Sequence, residues 1–350
     1  MRVYNIEIFN TKLEYVATRT VADTQIEFDY LTTQAQSIEV VKLTGLQYGY
    51  FIYIREIEYQ GYITMSQTVQ EITTITFKPL ISLCDVDIRY NYKKYSSYTL
   101  ENQLKVMIEE LYKKDICEVK TQIDVLSATS DAKMNLKSQT QNILSVMIKA
   151  LKMYAVAVKC YIDFNKRILK FEIGSQSQGR TIELNCAYIL NSNITIEDTS
   201  DYATSVTVYQ YEIDENGTVT ADNEKTYYYD EYNDTVTSEP LKRIIPARHS
   251  TQEISGTEDF ETDAYELAYS KLYRSEFNNS IEVQIDKNNR VIKPLTEWNI
   301  GEPVIVLSTD GESYKTIYSG YRINGDVITL LLGAVRTELT KKLLIERRNI

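Results

Sequence analysis

TEWNIGEPVIVLSTDGESYKTIYSGYRINGDVITLLLGAVRTELTKKL, residues 296–343, decides how the rest of the chain is read. Its apolar runs are separated by Asp310-Gly311 and Asn324-Gly325, and a short basic tail follows them. Such dipeptides supply the positive φ that tight hairpin turns require, so the run predicts strand, turn, strand, turn, strand. A meander of three strands has an apolar face to bury and edges to satisfy. Its partners must come from the rest of the assembly.

Upstream of it, residues 281–285 and 291–295 read as strands, and residues 259–277 as a helix with Ala264, Leu267, Ala268 and Leu272 on one face. Acids in the first turn suit the positive end of the helix macrodipole. Further back lie strands at 194–197 and 203–213, a turn at Asn216-Gly217, and another strand from Thr218. The stretch ADNEKTYYYDEYNDTVTSEP, residues 221–240, is acidic and rich in tyrosine. It reads as a solvated hairpin extension or as an arm that contacts a neighbouring subunit.

The first ninety residues alternate almost throughout, in QIEFDYL (25–31), SIEVVKL (37–43), YFIYIREIEY (50–59) and QEITTITF (70–77). Breaks near residues 32–34, 46–49 and 60–61 give the spacing of a small β-sandwich or barrel. The period then changes. Thr99 can cap a helix with Leu100, Leu104, Met107, Ile108 and Leu111 on one side. A second helix near 140–153 buries Ile143, Leu144, Met147, Ala150 and Leu151, and leads into a hairpin formed by 154–161 and 167–173. The expected fold is therefore mainly β with an α+β insert. Its parts are a first β domain at 1–92, a small α+β domain at 93–192, a second β domain with one helix at 193–343, and a basic tail at 344–350.

Composition narrows the function. The 29 tyrosines point to extensive sheet and to interfaces, where a ring is covered while its hydroxyl stays wet. A formal net charge of −11 opposes unspecific binding to a polyanion. Cys84, Cys117, Cys160 and Cys186 form no CxxC or CxH pair, which argues for thiols in a reducing cytosol and against a metal site. MRVYNIEIFN carries no apolar leader core, and no run has the length of a membrane span, so a soluble protein without a membrane-spanning segment is expected. The single histidine, His249, lies in a Pro-containing linker. No nucleophile elbow, zinc-protease, P-loop or dinucleotide motif is present, and paired acids such as Glu109-Glu110 fall on helix surfaces or loops. No catalytic residue, cofactor or metal is expected. What is left is a protein that works through its interfaces.

The phrases IGEPVIV (300–306), YKTIYSG (314–320), DVITLLLG (326–333) and RTELT (336–340) resemble the closing β domain of phage tail hub proteins. DYLTTQAQSIEVVK (29–42), followed by a strand and GYI (61–63), resembles their opening domain, and the domain order matches over nearly the whole chain. The resemblance is to the trimeric baseplate hub or tail-associated proteins of tailed phages, siphophages of Gram-positive hosts among them. It implies that both β domains are tail-tube-like barrels or sandwiches. Three protomers would then present six such units, joining a sixfold tail tube to a threefold tip and enclosing part of the DNA ejection channel. The implied partners are the other protomers of a homotrimer, the tail tube or distal tail hexamer, the tape measure protein, and distal tip or receptor-binding proteins. Genomic DNA would pass without specific binding, along an acidic lumen that repels it. The implied location is the virion tail tip, after assembly in the host cytoplasm. Many relatives carry a lysin extension at the C-terminus; its absence from residues 344–350 speaks against a cell-wall-degrading role.

Candidate subunit contacts are Tyr50, Tyr53 and Tyr59 along presumed strand edges, Tyr227, Tyr228, Tyr229 and Tyr232 in the acidic arm, and Lys341, Lys342, Arg347 and Arg348 in the tail. Within a protomer the apolar face of the meander is expected to lie under strands from about residue 193 and the 259–277 helix. Its edges are expected to pair with the first β domain of the next protomer. The alternative reading is a carbohydrate-binding tail or cell-surface β protein, whose tyrosines stack on sugars. A glycosidase using loop carboxylates ranks third.

Overall fold

In the computed structural model the alternating stretches of the first ninety residues are strands. The structure describes residues 3–22, 25–95, 97–112, 120–126, 140–175, 179–196, 203–213, 219–230, 235–241, 249–254, 259–272, 277 and 279–334. The first strands are β1 (Val3–Phe9), β2 (Tyr15–Ala22), β3 (Ile26–Asp29), β4 (Gln36–Val41), β5 (Phe51–Ile54), β6 (Tyr59–Val69) and β7 (Ile72–Pro79). All but β3 form a six-stranded antiparallel sheet in the order β2-β1-β5-β6-β7-β4.

Residues 50–59, expected as one strand, are two. The chain turns back through a short 3-10 segment at Arg55–Ile57 and Glu58 at φ 51, which sets Tyr59 opposite Ile54. Neither Gly nor Pro marks this turn, so the alternation runs straight through it. Gly61, expected at a break, lies inside β6 instead, where a Cβ would crowd the carbonyl oxygen of Lys78.

The next part holds β8 (Asp87–Arg89), α1 (Tyr92–Tyr95), α2 (Leu100–Tyr112), β9 (Lys120–Val125), β10 (Thr140–Asn142), α3 (Ile143–Tyr154), β11 (Val156–Asp163) and β12 (Ile168–Ser175). Both expected helical stripes are buried, from Leu100 to Leu111 and from Ile143 to Leu151. Asn142 caps α3 by accepting the Ser145 N–H at 2.9 Å. β11 and β12 form the expected hairpin, and β9 adds to β12 in parallel.

Beyond them come β13 (Arg180–Glu183), β14 (Ile189–Ile196), β15 (Ser205–Ile213), β16 (Val219–Asp230), β17 (Thr235–Thr237), β18 (His249–Glu253), α4 (Phe260–Leu272), β19 (Asn279–Asp286), α5 (Pro294–Glu297), β20 (Pro303–Leu307), β21 (Ser313–Asn324) and β22 (Val327–Leu332). The meander is β20-β21-β22, with Gly311 at φ 86 and Gly325 at φ 59 in its turns. Residues 291–295, expected as a strand, are a loop and the start of α5. Pro294 opens that helix, where its fixed φ fits and its missing N–H is not needed.

The meander belongs to a seven-stranded sheet, β13-β20-β21-β22-β19-β14, with β3 paired to β21. The chain is thus mainly β, built on curled half-barrel sheets with a small helical part. The apolar faces of the two large sheets meet in one continuous core, in which Ile6, Ile52 and Phe77 join Val283, Ile323 and Leu330. This corrects the expectation that the 259–277 helix covers the meander. Ala264, Ala268 and Leu272 of α4 pack instead with Val206, Val208, Tyr227 and Tyr229 in a separate core. A 13-residue helix with such small inward side chains offers too little apolar area for a seven-stranded sheet. The chain divides into two compact units, Met1–Ile196 with Glu276–Ile350, and Glu197–Ser275. Ile196 and Asn279 are ladder partners, so the second unit is an insertion into the β14–β19 hairpin.

Candidate functional site

Within the first unit, side chains that imitate backbone join its parts. The Gln60 amide accepts the Ile162 N–H at 2.7 Å and donates to the Ile162 carbonyl at 3.4 Å, as a neighbouring strand would. The Tyr30 hydroxyl accepts the Val158 N–H at 3.2 Å. Burial pushes the Tyr30 hydroxyl pKa up, and the hydrogen bond from Val158 works against that rise.

The expected contact residues separate by burial. β5 and β6 are interior strands of their sheet, so the 50–59 run is not an edge; β2 and β4 hold the edges. Tyr50 is half-buried, and its carbonyl accepts the Ile63 N–H at 2.7 Å. Tyr53 is half-buried against Phe164, with ring centroids 5.2 Å apart and the Arg55 guanidinium 5.9 Å from its ring. Tyr59 is buried edge-on to Phe77 in the shared core. In β16, Tyr227 and Tyr229 face inward and Tyr228 is half-buried on the opposite face. Tyr232, Lys341, Lys342, Arg347 and Arg348 lie outside the described residues.

Two polar groupings were not legible in the sequence. On the three-stranded sheet, the Lys170 ammonium lies 3.0 Å from the Tyr161 hydroxyl, 3.4 Å from Glu172 and 3.7 Å from Asp124. The Tyr161 hydroxyl donates to Glu172 at 2.6 Å. The bonds to Tyr161 and Glu172 hold Lys170 above its ordinary range, as a fixed cation in a cross-strand ladder. Asp124 enters this grouping only through the parallel pairing of β9, which leaves no local signal. The second grouping lines a polar hollow of about 250 Å³ beside β3 and includes Glu27, Asp29, Thr32 and Gln36. Its acids are engaged: Glu27 with Arg322 at 2.7 Å, and Asp29 with the Leu31 N–H at 3.0 Å. The first spans the β3–β21 pair, and the second shapes the turn that leaves β3.

His249 sits opposite Ser205 in the parallel β15–β18 pair, with Nδ1 3.0 Å from the serine Oγ. Ser205 is buried, which withholds its hydroxyl from a substrate, and the pair acts as a rung between strands. Among the described residues, no cluster of His, Cys, Asp or Glu has the makings of a metal site, and no helix is long and apolar enough to cross a membrane.

No protein-family model matches the sequence, and no curated protein matches it. Solved structures do. The 43 kDa tail protein of prophage MuSo2 from Shewanella oneidensis aligns with a TM-score of 0.54 at 11% identity, covering 95% of this chain and 98% of that one. Prophage tail protein gp18 from Listeria monocytogenes EGD-e aligns at 0.51 and 12% identity, over 98% of both chains. A chain of the phage P2 baseplate in its activated conformation aligns at 0.50 and 11% identity, over 96% of this chain and all of that one. The architecture of the whole chain is therefore that of phage tail and baseplate proteins.

Proposed function

We propose that this chain, having the fold of phage tail and baseplate proteins, is a non-enzymatic structural component of a phage-type tail. The observation that carries the reading is the end-to-end correspondence in fold with such proteins. More finely, the reading is a homotrimeric hub at the tail tip. Blocks 1–92 and 193–343 supply six tube-like units per trimer, and block 93–192 projects distally. The trimer continues or closes a hexameric tube, adapts sixfold to threefold symmetry, and forms part of the DNA ejection channel. It contacts the tube or distal tail hexamer, the tape measure protein and the tip proteins. The contacts run through the exposed parts of the sheets, with Tyr50, Tyr53 and Tyr228 the accessible tyrosine candidates. The net charge of −11 suits a wall that DNA passes without adhering.

Quantitative mass spectrometry of purified particles, together with antibody labelling in the electron microscope, tests this. The expected outcome is the chain at the tail tip in three copies per particle. Its absence from intact particles would remove the reading.

A further inference from the structure

Between β3 and the start of β4 the chain folds around the polar hollow of about 250 Å³. A side chain ties its two walls. Gln36, the first residue of β4, accepts the Glu27 N–H at 2.7 Å and donates to the Glu27 carbonyl oxygen. The hollow is therefore held in shape before any ligand arrives, which lowers the cost of binding. Glu27 gives one carboxylate oxygen to Arg322 at 2.7 Å, and a carboxylate has about four acceptor positions, so it can take further donors. Asp29, 5% exposed, is aimed by the Leu31 N–H at 3.0 Å and the Thr32 hydroxyl at 3.3 Å. Gln25, Gln34 and Ser37 are exposed and form the mouth.

We propose that this hollow binds one neutral sugar ring. Its lining offers acceptors in Glu27 and Asp29, and groups that both donate and accept in Gln25, Gln34, Thr32 and Ser37. That is the complement of a ring whose every hydroxyl does both. Phosphate or sulfate would face two carboxylates. A metal ion would stand beside the Arg322 guanidinium, which already lies 2.7 Å from Glu27 and 4.0 Å from Glu282. An apolar molecule would strip water from the polar lining and return no hydrogen bond. The volume lies below the about 300–1,000 Å³ of pockets that take drug-sized ligands, which suits a single ring. Sugar recognition at this hollow does not depend on the tail reading.

Saturation-transfer-difference NMR on the full-length chain tests it, with glucose, galactose, rhamnose, N-acetylglucosamine and N-acetylgalactosamine offered singly in excess. A35W is the blocking variant, because Ala35 lines the hollow and is exposed, so an indole there fills the space without entering a core. V291K is the control, at a loop position that is 67% exposed. The expected result is that at least one sugar receives saturation from the parent and from V291K, and none from A35W. Q34A removes one donor–acceptor group and is expected to weaken binding about tenfold. Near-UV circular dichroism checks that each variant is folded. If A35W does not fold, Q25A/Q34A replaces it, with an expected loss of about 100-fold. No saturation of any sugar by the parent overturns the proposal, as does a folded blocking variant that binds like the parent or a control that loses binding equally. Calcium chloride alone, titrated by calorimetry, is expected to give no heat of binding; a heat that A35W abolishes would make the hollow a cation site and overturn the proposal too. Detection of the chain in particles tests the tail reading separately, so the two can fail independently.

Discussion

Burial in the shared core sets the chemistry of its tyrosines. Tyr59, Tyr318 and Tyr321 all lie in it, and loss of solvation raises each hydroxyl above its ordinary value of 10.0. Burial also pushes Tyr62, in the neighbouring core, up to about 12. A phenol whose native pKa exceeds its unfolded one contributes stability that is intact below the unfolded value. That contribution is lost as pH rises toward the native one. Stability is therefore expected to fall above about pH 10, by about 1.4 kcal/mol per pH unit for each such residue. Denaturant melts across this range, with tyrosinate absorbance followed in parallel, should find a class of tyrosines that ionises only on unfolding. Titration of all 29 near their ordinary value in the folded chain would refute this. Tyrosine density announced sheets, but which rings face a core was beyond it, because tyrosine suits a half-buried strand and an interface equally. Tyr227 and Tyr228 are adjacent, yet only the first is buried.

Among the elements, β21 carries the most connections. Residues 313–317 pair with β20 and residues 320–323 with β3, across a ladder irregularity between Tyr318 and Gly320. Glycine is required at 320 because a Cβ there would fall on the carbonyl oxygen of Phe28. At the first residue of β19, the buried Asn279 amide donates to the Lys315 carbonyl and accepts the Thr316 hydroxyl, both at 2.7 Å. Asn279→Ala strands both partners and is expected to lower stability by about 2–4 kcal/mol, read as a lower urea midpoint at constant slope. The turns around β21 were plain from Asp310-Gly311 and Asn324-Gly325. Its pairing with β3 was not: Arg322 meets Glu27 across 295 residues of sequence, and neither strand's composition names the other.

At the scale of the whole molecule, the inserted unit makes a direct prediction. Ile196 and Asn279 are ladder partners and the inserted unit is Glu197–Ser275, so replacing residues 197–275 with Asn-Gly should leave a short loop that keeps Phe277 for the first unit's core. The shortened chain is expected to be β-rich and to melt in a single transition, by circular dichroism and calorimetry. A molten or aggregated product would mean that the insertion is integral to the first unit's core. By itself, the sequence determined what short-range physics controls: the alternating strands, the two helical stripes and the meander's turns. Phrases at both ends of the chain also carried the resemblance to tail hub proteins, which the solved structures match in fold. Only the tertiary structure decided that the first and last sheets share one core, that α4 serves an inserted unit, and that residues 50–59 turn in the sheet interior. The physical reason is that periodicity shows which face of an element is apolar. What covers that face depends on pairings between distant segments, whose stability comes from area buried together and leaves no mark on either segment alone.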